Sequence, residues 1–322
     1  MIRDVRMIRD VRRSLAICLA LVVCTCATVF AAEPPAGVQV LKFDRVQDVS
    51  NMPANFRTCK SMYKRMKGDQ YPTREGLEGL RDSGSSFMSV NEMKSMLKKI
   101  PADPSDIIIL DLRNESHGYI NGHGVSWYSR YKRYNMGLTS QAVERREQKL
   151  LADALAAGTV DIATQAKNKS TVMQTPIKVK SVQTERQLAE SLGMKYYRIP
   201  IMDYHAPSRA NIDQFIEFYK KLPKNAWIHT HCEAGVGRTT ITLSMIDMIH
   251  NAGKLSYDTI MTRQVLLGGQ DVRYSTSSDK YKSENYPKRA AFTKHFYDYA
   301  KAHPQLDISY TDWCKQQGYE DT

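Results

Sequence analysis

At residues 106–112 the chain reads DIIILDL, and an unbroken run of Ile and Leu has no polar face to turn to water. Such a run fits a strand covered on both sides, which is the place of a central strand with helices above and below it. The flanking periodicities agree. Residues 90–100 read as an amphipathic helix and residues 195–201 (KYYRIPI) as a second strand. Ile212, Phe215, Ile216 and Tyr219 mark one face of a helix that Pro223 closes. Residues 226–230 then read as a short strand, and residues 239–249 as a helix ended near Gly253. Thr184 with Gln187 fits a capping box that opens a short helix, stopped by Gly193. Residues 113–124 read as a polar loop and 139–157 as a helix. Residues 158–182, rich in Thr, Val and Lys without a helical period, read as short strands or an exposed insertion. This alternation predicts an α/β fold with a central, mainly parallel sheet flanked by helices.

Residues 1–31 stand apart. Five arginines lead into a nearly apolar run at residues 15–30, with Val29 and Ala31 at −3 and −1 before Glu33. A basic start, an apolar stretch too short for a bilayer and a small-residue end read as a secretory signal peptide. The mature chain, 33–322, is then expected in the periplasm or outside the cell with no membrane anchor, and the doubled MIRDVR leaves Met1 or Met7 as the start. Cleavage would remove five Arg and two Asp, lowering the formal net charge from +12 to +9. A basic surface favours an anionic partner. Because the Lys and Arg are scattered, without an arginine-rich arm or nucleic-acid motif, the expected partner is an acidic small molecule and not nucleic acid. Three cysteines remain, Cys59, Cys232 and Cys314, enough for one disulfide and one thiol. If Cys232 is chemical, Cys59–Cys314 is the expected structural pair, with a regulatory Cys59–Cys232 bond as its competitor.

Residues 228–240, IHTHCEAGVGRTT, place Cys232 at the carboxyl end of a strand, before a Gly-rich turn and a helix start. Ligands of open α/β sheets bind at that edge. Gly235 and Gly237 let successive backbone N–H groups point inward beside the positive helix end, forming an anion cradle. The same field favours the thiolate of Cys232. Arg238 can bring its planar fork to the mouth of the turn. The bland alternative is a buried cysteine beside a turn. A zinc site is disfavoured, because His229, His231 and Cys232 crowd one strand with no second Cys/His pair at metal spacing.

HCEAGVGRTT resembles the phosphate-binding loop of the protein tyrosine phosphatase superfamily, and specifically of its cysteine phytase branch, the phosphatase-like inositol polyphosphatases. The resemblance extends over about residues 50–300 through NFRT (55–58), DLRNESHG (111–118), NG (121–122), VSW (125–127), RIPIMD (198–203) and RQVLLGG (263–269). It implies a phosphatase-like core with a small partial β-barrel inserted at about 120–182. It also implies an enzyme that removes phosphates stepwise from inositol hexakisphosphate without a metal or other cofactor. In that reading Cys232 takes the phosphoryl group, Arg238 holds its oxygens, Thr239 hydrogen-bonds the sulfur, His231 orients the loop and Asp203 protonates the leaving oxygen. Glu233, Ala234, Gly235, Val236 and Gly237 line the loop. Arg57, Lys169, Lys282, Arg289 and His205 are expected to touch substrate, Lys132 to join them, and Gln264 to place the attacking water. Asp111 and Arg113 are expected to fix the polar loop. The chain departs from the family's frequent Asp-His pair, having Asp203-Tyr204 with His205 one place later. A protein tyrosine or dual-specificity phosphatase, and a catalytically silent polyanion binder, are the competing functions.

Overall fold

The computed structural model describes residues 30–31, 39–47, 51–66, 70–165 and 171–319. The expected signal peptide therefore lies outside the described residues, apart from its last two. In chain order the elements begin with β1 (Phe30–Ala31), β2 (Val40–Arg45), β3 (Arg57–Thr58), β4 (Asp82–Ser86), α1 (Val90–Leu97), β5 (Ile107–Arg113), β6 (His117–Ile120) and β7 (His123–Tyr128). They continue with α2 (Ser140–Ala157), β8 (Thr159–Gln165), β9 (Thr171–Lys178), β10 (Val182–Gln183), α3 (Glu185–Ser191), β11 (Lys195–Ile201) and α4 (Arg209–Lys220). The last are β12 (Trp227–Cys232), α5 (Gly237–Asn251), α6 (Tyr257–Leu266), α7 (Lys280–Ala302) and α8 (Tyr310–Gln316).

The apolar run becomes β5, buried along its whole length at the centre of a five-stranded sheet ordered β11-β5-β12-β4-β3. Its neighbours β11 and β12 run parallel to it, β12 also pairs parallel with β4, and β3 alone is antiparallel. Ile107, Ile109, Leu110 and Leu112 share one core with Met93 and Met96 of α1, Phe215 of α4, Ile246 of α5 and Phe296 of α7. Both faces are thus covered, as the sequence requires. Parallel pairing has a functional consequence: β5, β11 and β12 all end at one edge, so Glu115, Asp203 and Cys232 emerge together.

A second sheet is ordered β1-β9-β8-β2-β7-β6-β10 and packs Ile120, Val125, Trp127 and Ile162 against Leu151 and Ala154 of α2. It stands where the partial barrel was expected, and among the described residues no pairing closes β1 onto β10. It also corrects the polar loop expected at 113–124. That stretch is the β6–β7 hairpin, turned by Asn121 and Gly122 with φ of 52° and 79°. Two positive φ values in succession are what a two-residue hairpin of matching twist needs.

The cysteines differ from expectation as well. Cys59, Cys232 and Cys314 are all buried and none is disulfide-bonded, so the structural Cys59–Cys314 bond is absent. A Cys59–Cys232 bond is ruled out by register. The Cys59 amide donates to the carbonyl of Asp82, whereas Cys232 pairs with Ser86, four residues further along β4 at about 3.3 Å each. Among the described residues no helix is long and apolar enough to cross a membrane.

Candidate active site

The turn after β12 closes tightly because Gly235 adopts φ 74° and presses against β4. A Cβ there would lie 2.3 Å from the backbone of Ser85 and Ser86. Gly235→Ala is therefore expected to cost at least about 2 kcal/mol and to displace the turn. A lower urea midpoint together with lost activity would show this; an unchanged midpoint would contradict the packing.

Bending this way brings the Gly235 N–H and the Thr239 hydroxyl each to 3.3 Å from Cys232 Sγ, both donating to it. Burial resists ionisation of the thiol, which is 3% exposed, but the Arg238 guanidinium and the Thr239 hydroxyl outweigh it and hold Cys232 below the usual thiol range. The thiol is thus easier to ionise than an ordinary buried cysteine.

Arg238 is fixed by the end of β5. Its two terminal nitrogens clasp Glu115 at 2.8 and 3.0 Å, and Nη1 also donates to the carbonyls of Leu112 and Ile201. Its Nε has no hydrogen-bond partner and lies 3.4 Å from Asp203 Oδ1. Asp203 Oδ2 is ion-paired to Lys132. Burial opposes its charge, yet Arg238 and Lys132 keep the Asp203 carboxyl below the usual range. Hence the residue expected as general acid stands here as a carboxylate.

The basic residues divide. Arg289 of α7 lies against the loop: its Nη2 is unpartnered and stands 3.1 Å from where a Cβ on Gly237 would be, and burial holds its pKa down. Lys282 is 4.6 Å above the Tyr204 ring. His205 meets the Tyr281 hydroxyl at 2.6 Å. Arg57 is a correction. Buried in the protein, it donates to the carbonyls of Gly235 (2.8 Å) and Asn55 (3.0 Å) and to the Thr240 hydroxyl (3.1 Å), bracing the turn from behind. Burial brings its pKa down to about 10. Lys132 stands at the loop itself, its ammonium bridging Asp203 and Glu233. Gln264 gives its amide to Asp247 at 2.9 Å, beside Arg263, and not to the turn. Lys169 lies outside the described residues.

Around the loop, Ala234 accepts from Asn55 Nδ2, Val236 precedes α5, and Glu233 reaches Lys42 of β2 at 2.6 Å. Asp111 and Arg113 do fix the neighbouring backbone: Asp111 accepts from the Arg113 amide, and Arg113 reaches Glu115 and Asp44. His231 Nε2 lies 2.9 Å from Glu185 Oε1, close enough for an ion pair though off the line of a hydrogen bond; Glu185 outweighs burial and raises its pKa. Asp111, Glu185 and His231 have metal-like proximity, but Arg198 and His117 already answer the two carboxylates at 3.1 and 3.0 Å. His229 is a core residue, its two ring nitrogens bonded to Ser83 and Ser85. Glu115 and Lys42 were not singled out in the sequence; the DLRNES motif carried Glu115, while nothing local marked Lys42.

The sequence profile of the PTP-like phytase family, described as inositol hexakisphosphate, matches residues 110–250. A PTP-like myo-inositol phosphatase from Mitsuokella multacida, solved with myo-inositol-(1,3,4,5)-tetrakisphosphate, is 36% identical with a TM-score of 0.82, covering 89% of this chain and 48% of its own. The effector protein hopD2 of Pseudomonas syringae pv. tomato is 27% identical over 287 residues, 87% of this chain and 58% of that protein. The chain thus spans about half the length of these two relatives. A PTP-like phytase from Bdellovibrio bacteriovorus matches over 98% of its length and 88% of this chain, at 31% identity and a TM-score of 0.67. With that match over nearly a whole relative, and the nucleophile loop formed as described, the chain belongs to the PTP-like phytase family.

Proposed function

We propose that the chain is a phosphoric monoester hydrolase that removes phosphates stepwise from inositol hexakisphosphate and lower inositol polyphosphates. The observation that carries this reading is the Cys232 sulfur, held at 3.3 Å by one backbone N–H and the Thr239 hydroxyl, with Arg238 drawing its pKa below the usual thiol range against burial. The polyphosphate preference is supported by Arg289, a buried cation with an unpartnered nitrogen against the loop, and by the inositol tetrakisphosphate bound to the Mitsuokella relative.

In the first step the thiolate attacks phosphorus, the S–P bond forms and the bridging P–O bond breaks. Asp203, once protonated, passes its proton to the departing inositol oxygen. In the second step water attacks the phosphocysteine, its proton returns to Asp203, and the sulfur leaves as a thiolate stabilised by Thr239. Arg238 and the loop N–H groups supply the positive charge for both.

Asp203→Asn is expected to lower kcat on inositol hexakisphosphate by about 10²–10⁴-fold. The sign in pH follows from the carboxyl's low position. Because the protonated fraction of Asp203 falls as pH rises, the wild-type kcat/KM declines on the alkaline side, and that decline vanishes in Asp203→Asn. A variant retaining both rate and alkaline limb would remove Asp203 from the mechanism. Turnover of inositol hexakisphosphate compared with a phosphotyrosyl peptide, with chelator present, tests the substrate class. Preference for the peptide would favour a tyrosine phosphatase, and binding of both without release a silent binder. Export is part of this proposal, supported by the basic and apolar composition of residues 1–31. Mature chain beginning near Ala32 in a periplasmic or culture fraction would bear it out.

A further inference from the structure

Lys132 is an odd group to find at such a site. It is 6% exposed, yet its ammonium is in direct contact with two carboxylates, Asp203 and Glu233, and 3.9 Å from a third, Glu115. It is carried by a short turn at residues 130–132 in which Tyr131 and Lys132 have φ of 55° and 56°. Two consecutive non-glycine residues in the left-handed region are strained, and persist only where the surroundings hold them. Here the holding group is Tyr131, whose ring stacks on Tyr281 of α7 at 4.1 Å and whose hydroxyl donates to Asp279 at 2.9 Å.

The three carboxylates are not equivalent. Glu233 has a second cation in Lys42 at 2.6 Å, and Glu115 is held by Arg238 and by Arg113 at 3.0 Å. Asp203 has Lys132 and, more distantly, the Nε of Arg238 at 3.4 Å. Its other charged and titratable neighbours are Tyr204 and His205 on its own loop, the Cys232 thiol at the end of β12, and Tyr281, Tyr286 and Arg289 on α7, and the Tyr204 amide donates to its Oδ1 at 3.1 Å. A phosphate dianion entering the Cys232 loop competes for Arg238 and for the Lys132 ammonium. When it takes them, Glu233 keeps Lys42 and Glu115 keeps Arg113, whereas Asp203 loses both of its ion-paired cations and faces only the more distant Arg289, which the same phosphate attracts.

We propose that Lys132 is a positioning residue that keeps Asp203 ionised in the empty site and surrenders it when a phosphate group arrives, so that substrate binding and protonation of the general acid are one event. The proton comes from solvent and settles on an Asp203 oxygen; no other bond changes. This rests on the phosphatase reading above. Under it the empty site is a closed set of ion pairs, and the acid is armed only in the presence of the anion it serves.

The test uses the full chain carrying Cys232→Ser, so that the thiol cannot take up the proton, and myo-inositol hexasulfate, whose sulfates stay ionised. Calorimetry in two buffers of different ionisation enthalpy counts the protons taken up on binding. Near pH 5 about one proton is expected per site, and none in Asp203→Asn. Lys132→Met should lower the uptake, because its Asp203 is already partly protonated when empty, and Lys132→Arg should restore it. Uptake that survives Asp203→Asn, which would implicate His205, or uptake unchanged in Lys132→Met, overturns the inference while leaving the phosphatase reading intact. Failure of the hexasulfate to bind at all removes both.

Discussion

Cys232→Ser is expected to reduce phosphate release by about 10⁴–10⁶-fold, or roughly 5–8 kcal/mol of transition-state stabilisation. The reason lies in what the loop can and cannot do. Its field, made by Arg238, the Thr239 hydroxyl and the Gly235 N–H, is enough to hold a buried thiol below its usual range. A serine hydroxyl starts many units higher and stays protonated under the same field, so it cannot attack. The anion cradle itself is untouched, and binding of inositol hexasulfate should persist. Full release by the variant would place the nucleophile elsewhere; lost binding together with a lower melting point would mean that the loop had collapsed.

Arg238→Lys is expected to lower kcat by about 10³-fold, near 4 kcal/mol, although the charge is kept. Arg238 makes four fixed contacts that leave its Nε facing the catalytic space: two to Glu115 and one each to the carbonyls of Leu112 and Ile201. An ammonium cannot clasp Glu115 with two parallel bonds and also present a further donor. Since a lysine still carries positive charge near the sulfur, the acid limb of kcat/KM should move little while kcat collapses. A large upward shift of that limb with kcat preserved would mean that Arg238 serves the thiol's ionisation and not the transferring phosphoryl group.

Much of the frame was legible because apolar runs speak for themselves. β5, β11 and α4 stand where DIIILDL, KYYRIPI and the Ile212–Tyr219 stripe place them. β4 was not legible. DSGSS has no apolar side chain and reads as a turn, yet all five residues are buried between β12 and β3, with Ser83 and Ser85 hydroxyls spent on His229 and Ser83 also accepting from Trp227. The β6–β7 hairpin was missed for another reason: Asn121-Gly122 is a strong turn signal, but its flanks, HGYI and HGVSWY, are too short to show a clear alternation.

At the site, the residues of one contiguous loop stand together where the sequence places them, because a strand end, a Gly turn and a helix start dictate their own geometry. Residues distant in sequence fared less well. Arg57 and Gln264 carry the right chemistry for substrate but face the back of the turn and Asp247 respectively. Lys42 and Lys132 meet at Glu233 through two separate strands of the second sheet and its outgoing turn, which no local pattern announces. The low pKa of Asp203 is set against burial by Arg238 and Lys132, and could not be read from RIPIMD alone.

The central claim is that Cys232 carries the phosphoryl group. Rapid quenching of the wild-type enzyme during turnover of inositol hexakisphosphate, followed by peptide mass spectrometry, addresses it directly. One phosphoryl group on the peptide containing Cys232, absent from Cys232→Ser and accumulating in proportion to enzyme, is the predicted result. Steady turnover with that peptide unmodified at every quench time, or with the phosphoryl group on another residue, would contradict it.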